Sequence, residues 1–193
     1  AKQGLDGFIV PHADAHQNEF LPADAERLAW LTGFHGSAGT AVVLTAQAAI
    51  FVDGRYTLQV RDQVDGALYG FHHLVEEPVA DWLGKTLSRG AKLGFDPWLH
   101  TQTQRERLAR GVSSAGAELV SVAQNPVDVI WENRPPSPKA PVVPHELRFA
   151  GRSSQDKRAD LSASLGHNGL DAVVLTQPDS IAWLLNVRGS DVD

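Results

Sequence analysis

Residues 40–56, TAVVLTAQAAIFVDGRY, contain two short apolar runs that are separated by a tight turn and followed by a polar tetrapeptide. We interpret Thr40–Thr45 and Ala48–Val52 as the two strands of a hairpin. A connection this short joins antiparallel strands, because parallel strands need a long crossover. The sheet that contains this hairpin is therefore not purely parallel.

Strands and helices continue to alternate on both sides of the hairpin. Further strands are predicted at Phe8–Val10, Ala67–Leu74, Lys92–Phe95 and Glu118–Val122, and helices at Asp24–Thr32, Tyr56–Val64, Val79–Leu87 and Thr101–Ser114. Strands mixed with helices at this spacing indicate a layered architecture. The predicted fold class is α/β, with a mixed β-sheet flanked by helices.

Five prolines fall within residues 135–144. Proline lacks the N–H that helices and sheets require, so this segment is expected to be an extended strap between two domains. The alternative is a long surface loop within one domain. Beyond it, Ser153 with Asp156 three residues later predicts the start of a helix, and Ala172–Leu175 is predicted to be a strand.

The segment after the strap repeats features of the first domain in the same order. The first domain has an apolar segment, Leu5–Val10, then a Trp-bearing helix, then a Gly-Ser turn. The second segment has Leu170–Leu175, then a Trp-bearing helix, then a Gly-Ser turn. This recurrence predicts a duplicated α/β unit. We expect a first domain at 1–133, a strap at 134–148 and the truncated start of a second domain at 149–193. So short a second segment is expected to be the less stable part.

Composition narrows the classes of function. The net charge of −6 disfavours nucleic acid as a partner. No apolar run approaches the roughly 20 residues that cross a bilayer, and no signal peptide is visible, so we expect no membrane partner and a cytoplasmic location. The chain has no cysteine, which excludes disulfides and thiolate metal sites.

Histidines and carboxylates offer two candidate metal positions, and both are unconvincing. His12, Asp14 and His16 lie close together, but Pro11 disfavours a helix that would stack the two histidines, so loop-forming polar residues are the favoured interpretation. His72 and His73 are adjacent on a predicted strand and therefore point to opposite faces. We assign no metal ligand and no catalytic residue in this chain.

Gly36-Ser37-Ala38-Gly39 invites comparison with a serine nucleophile. It does not match G-x-S-x-G, since His35 stands where the first glycine belongs. We interpret it as a tight turn that lets backbone approach backbone.

Asp53-Gly54-Arg55-Tyr56 is the most informative short motif. It follows an apolar strand, and ligands are favoured at the carboxyl ends of strands in α/β sheets. Arg55 presents a planar cation that suits a carboxylate. The alternative is that Asp53 caps the next helix and Arg55 makes only a surface ion pair, and the residues alone leave both interpretations open.

Several blocks together resemble a known family. They resemble, in the same order, the N-terminal part of the three-domain Xaa-Pro aminopeptidases. The blocks are residues 14–17, 33–41, 53–59, 125–131 and 179–192. Between the last two blocks, Phe149–Gly151, Lys157 and Asp160-Leu161 also resemble this family. These enzymes are a branch of the creatinase/prolidase pita-bread metallopeptidases. The resemblance implies two related creatinase-type α/β units with a ribonuclease H-like shape.

The resemblance also implies a function for the full-length protein. Such enzymes release an N-terminal residue that precedes proline, and a third domain holds two divalent metal ions, usually manganese. That domain would lie beyond Asp193, so the chain alone is expected to bind no metal and to be inactive. The resemblance gives Arg55 contact with the peptide substrate. It also implies a homodimer, in which this region helps substrate recognition and domain or subunit assembly.

Two other classes of function remain open at the level of sequence. Some metal-free pita-bread relatives act as protein-interaction modules. A ribonuclease H-like nuclease would need clustered carboxylates; Asp53 and Asp96 follow strands, but no third acidic partner is evident.

Overall fold

The computed structural model describes residues 4–191. The chain divides into two compact units, Ala1–Pro136 and Ser137–Asp193, each with its own sheet. Residues 1–3, at the start of the first predicted domain, lie outside the described residues. So do Val192, in the last of the resembling blocks, and Asp193, at the end of the second predicted domain.

Six strands form the sheet of the first unit: β1 (Gly7–Pro11), β2 (Gly39–Leu44), β3 (Ala48–Val52), β4 (Tyr69–His73), β5 (Lys92–Phe95) and β6 (Glu118–Ser121). Their order across the sheet is β4-β3-β2-β1-β5-β6. β2 is antiparallel to both of its neighbours, and the other three pairs are parallel. The predicted mixed sheet is confirmed.

Apolar side chains cover both faces of this sheet, because consecutive residues of a strand point to opposite sides. Phe8 and Ile50 belong to one buried cluster, while their neighbours Ile9, Ala49 and Phe51 belong to a second. The near-continuous apolar runs of the sequence thus supply two cores, as expected for strands buried on both faces.

Five α-helices accompany the sheet among the described residues of the first unit: α1 (Arg27–Thr32), α2 (Gln59–Gln63), α3 (Val79–Thr86), α4 (Gln102–Ser114) and α5 (Pro126–Ile130). The start of α4 is defined by a capping box in which Thr101 and Gln104 exchange side-chain to backbone hydrogen bonds. Gly33 ends α1 in the left-handed conformation, with φ of +81°.

Two predicted helices begin later than expected. The helix predicted at Asp24–Thr32 is a 3-10 turn, Ala23–Ala25, followed by α1, because Glu26 has ψ of +47° and interrupts the helical backbone. The helix predicted at Tyr56–Val64 is shortened to α2. Side chains that hydrogen-bond to nearby backbone N–H groups compete with helix formation, and Asp53 does so immediately before this segment.

An ion pair and an aromatic stacking contact connect α1 with α5 and the residues that follow it. Arg27 donates from Nε and Nη2 to the Asp128 carboxylate at 2.6 and 3.0 Å, and Arg134 Nη1 lies 2.8 Å from Asp128 Oδ2. The rings of Trp30 and Trp131 stack with centroids 5.5 Å apart. One partly buried carboxylate therefore joins two arginines at the end of this unit.

The described part of the second unit contains β7 (Val143–Pro144), α6 (Leu147–Ala150), α7 (Ser154–His167), α8 (Pro178–Leu185) and β8 (Val187–Arg188). Its two strands are shorter than those of the first unit. β7 and β8 pair antiparallel. The helix start predicted at Ser153 is confirmed, because its hydroxyl accepts from the Asp156 N–H at 3.0 Å.

The strand predicted at Ala172–Leu175 is wrong. These residues have no regular secondary structure, and Val174 is 85% exposed. A β-strand requires a partner to satisfy its backbone donors and acceptors, and no described strand of this unit lies alongside residues 172–175.

Candidate functional site

Several strand ends meet at one edge of the six-stranded sheet. The carboxyl ends of β1, β3 and β4 lie on the same side of the sheet as the amino end of β2. The strand pairing shows this, since Pro11 pairs with Thr40, Gly39 with Val52, and Val52 with His73. The segments that leave these strands carry the polar motifs found in the sequence. This edge is the place where an α/β sheet is suited to bind ligands.

Arg55 and Asp53 form a closed ion pair just beyond β3. The Asp53 carboxylate accepts from the Arg55 backbone N–H at 2.9 Å, and from Nε and Nη2 of the same residue at 3.1 and 2.8 Å. These hydrogen bonds lower the pKa of Asp53 below its usual 3.8. The ion pair of the alternative interpretation is therefore present, but its helix cap is wrong, because α2 begins at Gln59 without a side-chain cap. Arg55 remains 59% exposed, and its contact with a ligand stays a prediction.

Tyr56 links this pair to the loop that precedes β2. The Arg55 guanidinium carbon lies 5.1 Å from the centroid of the Tyr56 ring, a cation–π distance. The Tyr56 hydroxyl is 2.8 Å from Ser37 Oγ, and Ser37 Oγ donates to Glu19 Oε1 at 3.2 Å. Since Ser37 has one hydroxyl proton, Tyr56 donates to Ser37.

Glu19 completes the cluster and was not found from the sequence. Its Oε1 lies 3.9 Å from Arg55 Nη1. It belongs to an irregular segment between β1 and α1, and no periodicity or motif marks it. Only the folding of that segment back over the strand ends brings a carboxylate from residue 19 to an arginine at residue 55.

The segment that contains His12, Asp14 and His16 is a loop that hydrogen bonds stabilise. Asp14 Oδ1 accepts from the backbone N–H groups of His16 and Asn18 at 2.9 and 3.0 Å. The His12 ring contacts the backbone carbonyl of Glu19 at 3.0 Å. Within residues 4–191, no group of three or more His, Asp or Glu side chains is arranged to hold a metal ion.

The two adjacent histidines of β4 have separate surroundings. His72 stacks on Phe51 with centroids 4.9 Å apart and lies 2.6 Å from Glu77 Oε2. His73 instead accepts from the backbone N–H groups of Val75 and Glu76. Their predicted divergence is confirmed, because the two rings have different partners.

The Gly-Ser-Ala-Gly turn is close-packed against an aromatic ring. A Cβ at Gly36 would come within 2.9 Å of the Phe34 ring, and one at Gly39 would meet Phe34 and Leu28 at 3.0 Å. The expectation that backbone approaches backbone at this turn is thus wrong, because side chains fill the space. The glycines place Ser37 at the cluster without a neighbouring ring being displaced.

The carboxylates considered for a nuclease have separate structural partners. Asp96 is buried, and it accepts from the Asn125 side chain at 2.9 Å and from the Trp98 N–H at 3.0 Å. Asp53 follows β3, whereas Asp96 follows β5, and two strands lie between them. Asp53 and Asp96 are therefore not placed to share a magnesium ion.

His100 lies near Asp96 and is partly buried in the first unit. Its Nδ1 lies 2.9 Å from the Asp96 carbonyl oxygen, which fixes the proton on Nδ1, and its Nε2 is buried without a hydrogen-bond partner in the described part of the chain. Burial lowers the pKa of His100 below its usual 6.5.

Comparison with known families identifies both units. A model described as the creatinase/prolidase N-terminal domain matches residues 1–134, and a second model with the same description matches residues 133–193. The chain belongs to the creatinase/prolidase N-terminal domain family. The fold expected from the resemblance is confirmed.

Relatives of this creatinase-type chain are proline-specific aminopeptidases. Aminopeptidase P1 of Arabidopsis thaliana is 36% identical over 97% of this chain and 29% of its own length. Xaa-Pro aminopeptidase 2 of Homo sapiens is 36% identical over 98% of this chain and 29% of its own length. The chain therefore spans less than a third of these relatives.

A solved structure shares the fold. X-prolyl aminopeptidase from Caenorhabditis elegans, described as a cytosolic enzyme with a di-nuclear active site, matches with a TM-score of 0.87 and 34% identity, over 97% of this chain and 31% of that one. In the present chain, no helix among residues 4–191 is long and apolar enough to cross a membrane.

Proposed function

We propose that this chain is the N-terminal, non-catalytic region of a dinuclear-metal Xaa-Pro aminopeptidase that releases an N-terminal residue preceding proline. The observation that carries the proposal is identity of 36% to such enzymes along 97% of the chain. The region comprises a first domain at 1–133, a strap at 134–148 and the start of a second domain at 149–193.

The metals of the proposed enzyme, two divalent ions such as manganese, do not fit the residues that the structure describes. Asp14 is engaged by backbone N–H groups, Asp53 by Arg55, and Asp96 by Asn125. No group of metal-binding side chains is formed within residues 4–191. We therefore place the metals in a further domain of the full-length protein and expect the chain alone to be inactive.

Arg55 is the residue that we propose to contact the peptide. It stands at the edge of the sheet that favours ligands, it is exposed, and Asp53 orients it through the hydrogen bonds from Nε and Nη2. A recognition residue away from the metals contributes by holding the peptide in position.

Domain or subunit assembly is the second role that we propose for this region, with a homodimer as the full-length form. A cytoplasmic location is supported by the description of the nematode relative as cytosolic. The alternative, an interaction module from a metal-free relative, is less well supported because the relatives described above carry the names of aminopeptidases.

The test of the recognition role uses the full-length protein that contains this chain. Arg55→Ala is expected to lower kcat/KM for an Arg-Pro-Pro peptide by roughly 5- to 150-fold, the range for a hydrogen bond to a charged group. Arg55→Lys is expected to restore part of the loss, since an ammonium cannot reproduce the guanidinium fork.

Arg61→Ala is the matched control, because Arg61 also lies over an aromatic ring, 5.0 Å from the centroid of Phe71. It is expected to leave the kinetics unchanged. If Arg55→Ala also left kcat/KM unchanged but lowered the melting temperature sharply, Arg55 would have only a structural role. Manganese-dependent release of arginine by the 193-residue chain alone would contradict its assignment as non-catalytic.

A further inference from the structure

The Arg55 guanidinium has two edges that can each donate a pair of parallel hydrogen bonds, and one edge is already occupied. Nε and Nη2 form the side edge, and both donate to the Asp53 carboxylate. The end edge, made by Nη1 and the second N–H of Nη2, is left for a ligand. A ligand that binds Arg55 without displacing Asp53 must approach this end edge.

The end edge is not electrostatically open to an anion. Glu19 Oε1 lies 3.9 Å from Nη1, and it is held there by the hydrogen bond from Ser37 Oγ. The cluster of Asp53, Arg55 and Glu19 therefore contains two carboxylates and one cation, with a formal charge of −1. A third carboxylate would be repelled by both acidic residues.

From this geometry we infer that Asp53 and Glu19 restrict Arg55 to neutral acceptors, so that the site binds backbone carbonyl oxygens of the peptide and does not select for its C-terminal carboxylate. The inference rests on the proposed role of Arg55 in substrate recognition. In this arrangement Asp53 positions the Arg55 guanidinium, and Glu19 determines its specificity for neutral acceptors. The substrate class that follows is peptides of any C-terminal charge.

Ser37 and Tyr56 support this arrangement because they fix the position of Glu19. Tyr56 donates to Ser37, and Ser37 donates to Glu19. Tyr56 is itself packed edge-on against the buried Phe34 ring, with centroids 5.6 Å apart. The carboxylate is therefore connected to the protein core by two hydrogen bonds and one aromatic contact.

The test compares acid and amide forms of the same peptides in the full-length protein. Arg-Pro-Pro and a series extended by single alanines, each with a free or an amidated C-terminus, would be assayed for kcat/KM. The unmodified protein is expected to treat the two forms of each peptide alike, within about threefold, and Arg55→Ala is expected to lower kcat/KM for both forms by the same factor.

Glu19→Gln is the decisive variant, since it removes one negative charge and keeps the side-chain shape. It is expected to shift the acid-to-amide ratio toward the acid by up to about fivefold, the size of an exposed charge interaction, and the shift should shrink at high salt. Glu106→Gln, an exposed carboxylate on α4 that accepts from Gln102, is the control and should leave the ratio unchanged.

Failure of the inference and failure of the proposed function give different results. If Arg55→Ala lowered kcat/KM, but the unmodified protein preferred the acid by more than about tenfold and Arg55→Ala removed that preference, Arg55 would bind the C-terminal carboxylate and the inference would be overturned. An unchanged ratio in Glu19→Gln would overturn the role of Glu19. If Arg55→Ala changed neither form, the proposed recognition role would itself be wrong.

The ion pair between Asp53 and Arg55 can also be tested without a kinetic assay, in the 193-residue chain. Titration of the Asp53 carboxyl by NMR is expected to give a pKa below 3.8 in the unmodified chain, and one near the ordinary value in Arg55→Ala. An unshifted pKa in the unmodified chain would show that the side edge of Arg55 is free, which would overturn the inference.

Discussion

The two units contain similar local sequences in different surroundings. In the first unit Phe8, Ile9 and Val10 are buried in β1, which pairs with β2 and β5. In the second unit the corresponding residues Val173–Leu175 are exposed and form no strand. The comparison shows that an apolar run becomes a strand only where other strands lie alongside to satisfy its backbone.

The buried residues of the two units also differ in kind. The first unit has two apolar clusters, one on each face of its sheet. In the second, the only described residue that is as thoroughly buried is Lys157, at 4% exposure. Its ammonium donates to the Trp183 carbonyl and to Asn186 Oδ1 at 2.9 and 2.7 Å. The thoroughly buried side chain of the second unit is thus held by hydrogen bonds, whereas those of the first unit are mostly held by apolar packing.

The Trp-bearing helices, by contrast, behave alike in both units. α1 contains Trp30 and α8 contains Trp183, and each helix ends at a left-handed residue, Gly33 or Asn186. A helix satisfies its hydrogen bonds within its own segment, so it forms in either setting. The repeated sequence therefore specifies the helix locally, whereas it leaves the strand dependent on its neighbours.

The largest expected difference between the units is in amide hydrogen exchange. Val42, Val43 and Ile50 lie in paired strands, and their exchange is expected to require opening of the whole first unit, at a free energy of about 5–15 kcal/mol. Residues 172–175 have no strand partner and are expected to exchange with almost no protection. Equal protection in a dilute monomer would contradict the contrast between the units.

Removal of the carboxylate that joins α1 and α5 is expected to have the next largest effect. Asp128→Ala leaves Arg27 and Arg134 without their shared partner, and loss of the charged hydrogen bonds of a partly buried carboxylate lowers the free energy of unfolding by up to about 3 kcal/mol. Urea denaturation measures the loss. The control is Asp160→Ala, since Asp160 pairs with Arg152 on an exposed surface and should matter little.

A matched pair of valines compares the two units directly. Val42 is 0% exposed and Val174 is 85% exposed. Val42→Ala is expected to lower the free energy of unfolding of the first unit by about 2 kcal/mol, from lost burial and the cavity left behind. Val174→Ala should change stability by less than about 0.5 kcal/mol. Similar losses in thermal or urea unfolding would mean that residues 172–175 are packed after all.

The smallest expected effect is a pH dependence from His100. Its pKa is lowered by burial in the folded state, so the unfolded chain binds the proton more readily. Stability is therefore retained above pH 6.5 and falls as the pH drops below that unfolded value, with a slope of at most about 1.4 kcal/mol per pH unit for one group.

His100→Phe is the variant that isolates this contribution. It is expected to flatten the dependence of the urea midpoint on pH below 6.5, because phenylalanine does not titrate. If the profile of His100→Phe followed that of the unmodified chain, the His100 imidazole would not be the source of the pH dependence.

The sequence by itself determined the mixed sheet of the first unit, because its apolar runs and tight turn follow local rules. It also determined the helix caps at Thr101 and Ser153, which depend on residues within one turn. The starts of α1 and α2 were misplaced, since the backbone at Glu26 and the side chain of Asp53 depart from helical geometry.

Only the tertiary structure decided what surrounds Arg55. The motif placed Asp53 and Arg55 together because they are two residues apart, but the approach of Glu19 and Ser37 depends on how distant segments fold over the strand ends. The same holds for Ala172–Leu175, whose pattern predicts a strand while its exposure and lack of a partner prevent one. Local sequence specifies interactions within a turn or a helix, whereas contacts across the chain and strand pairing depend on which segments the fold brings together.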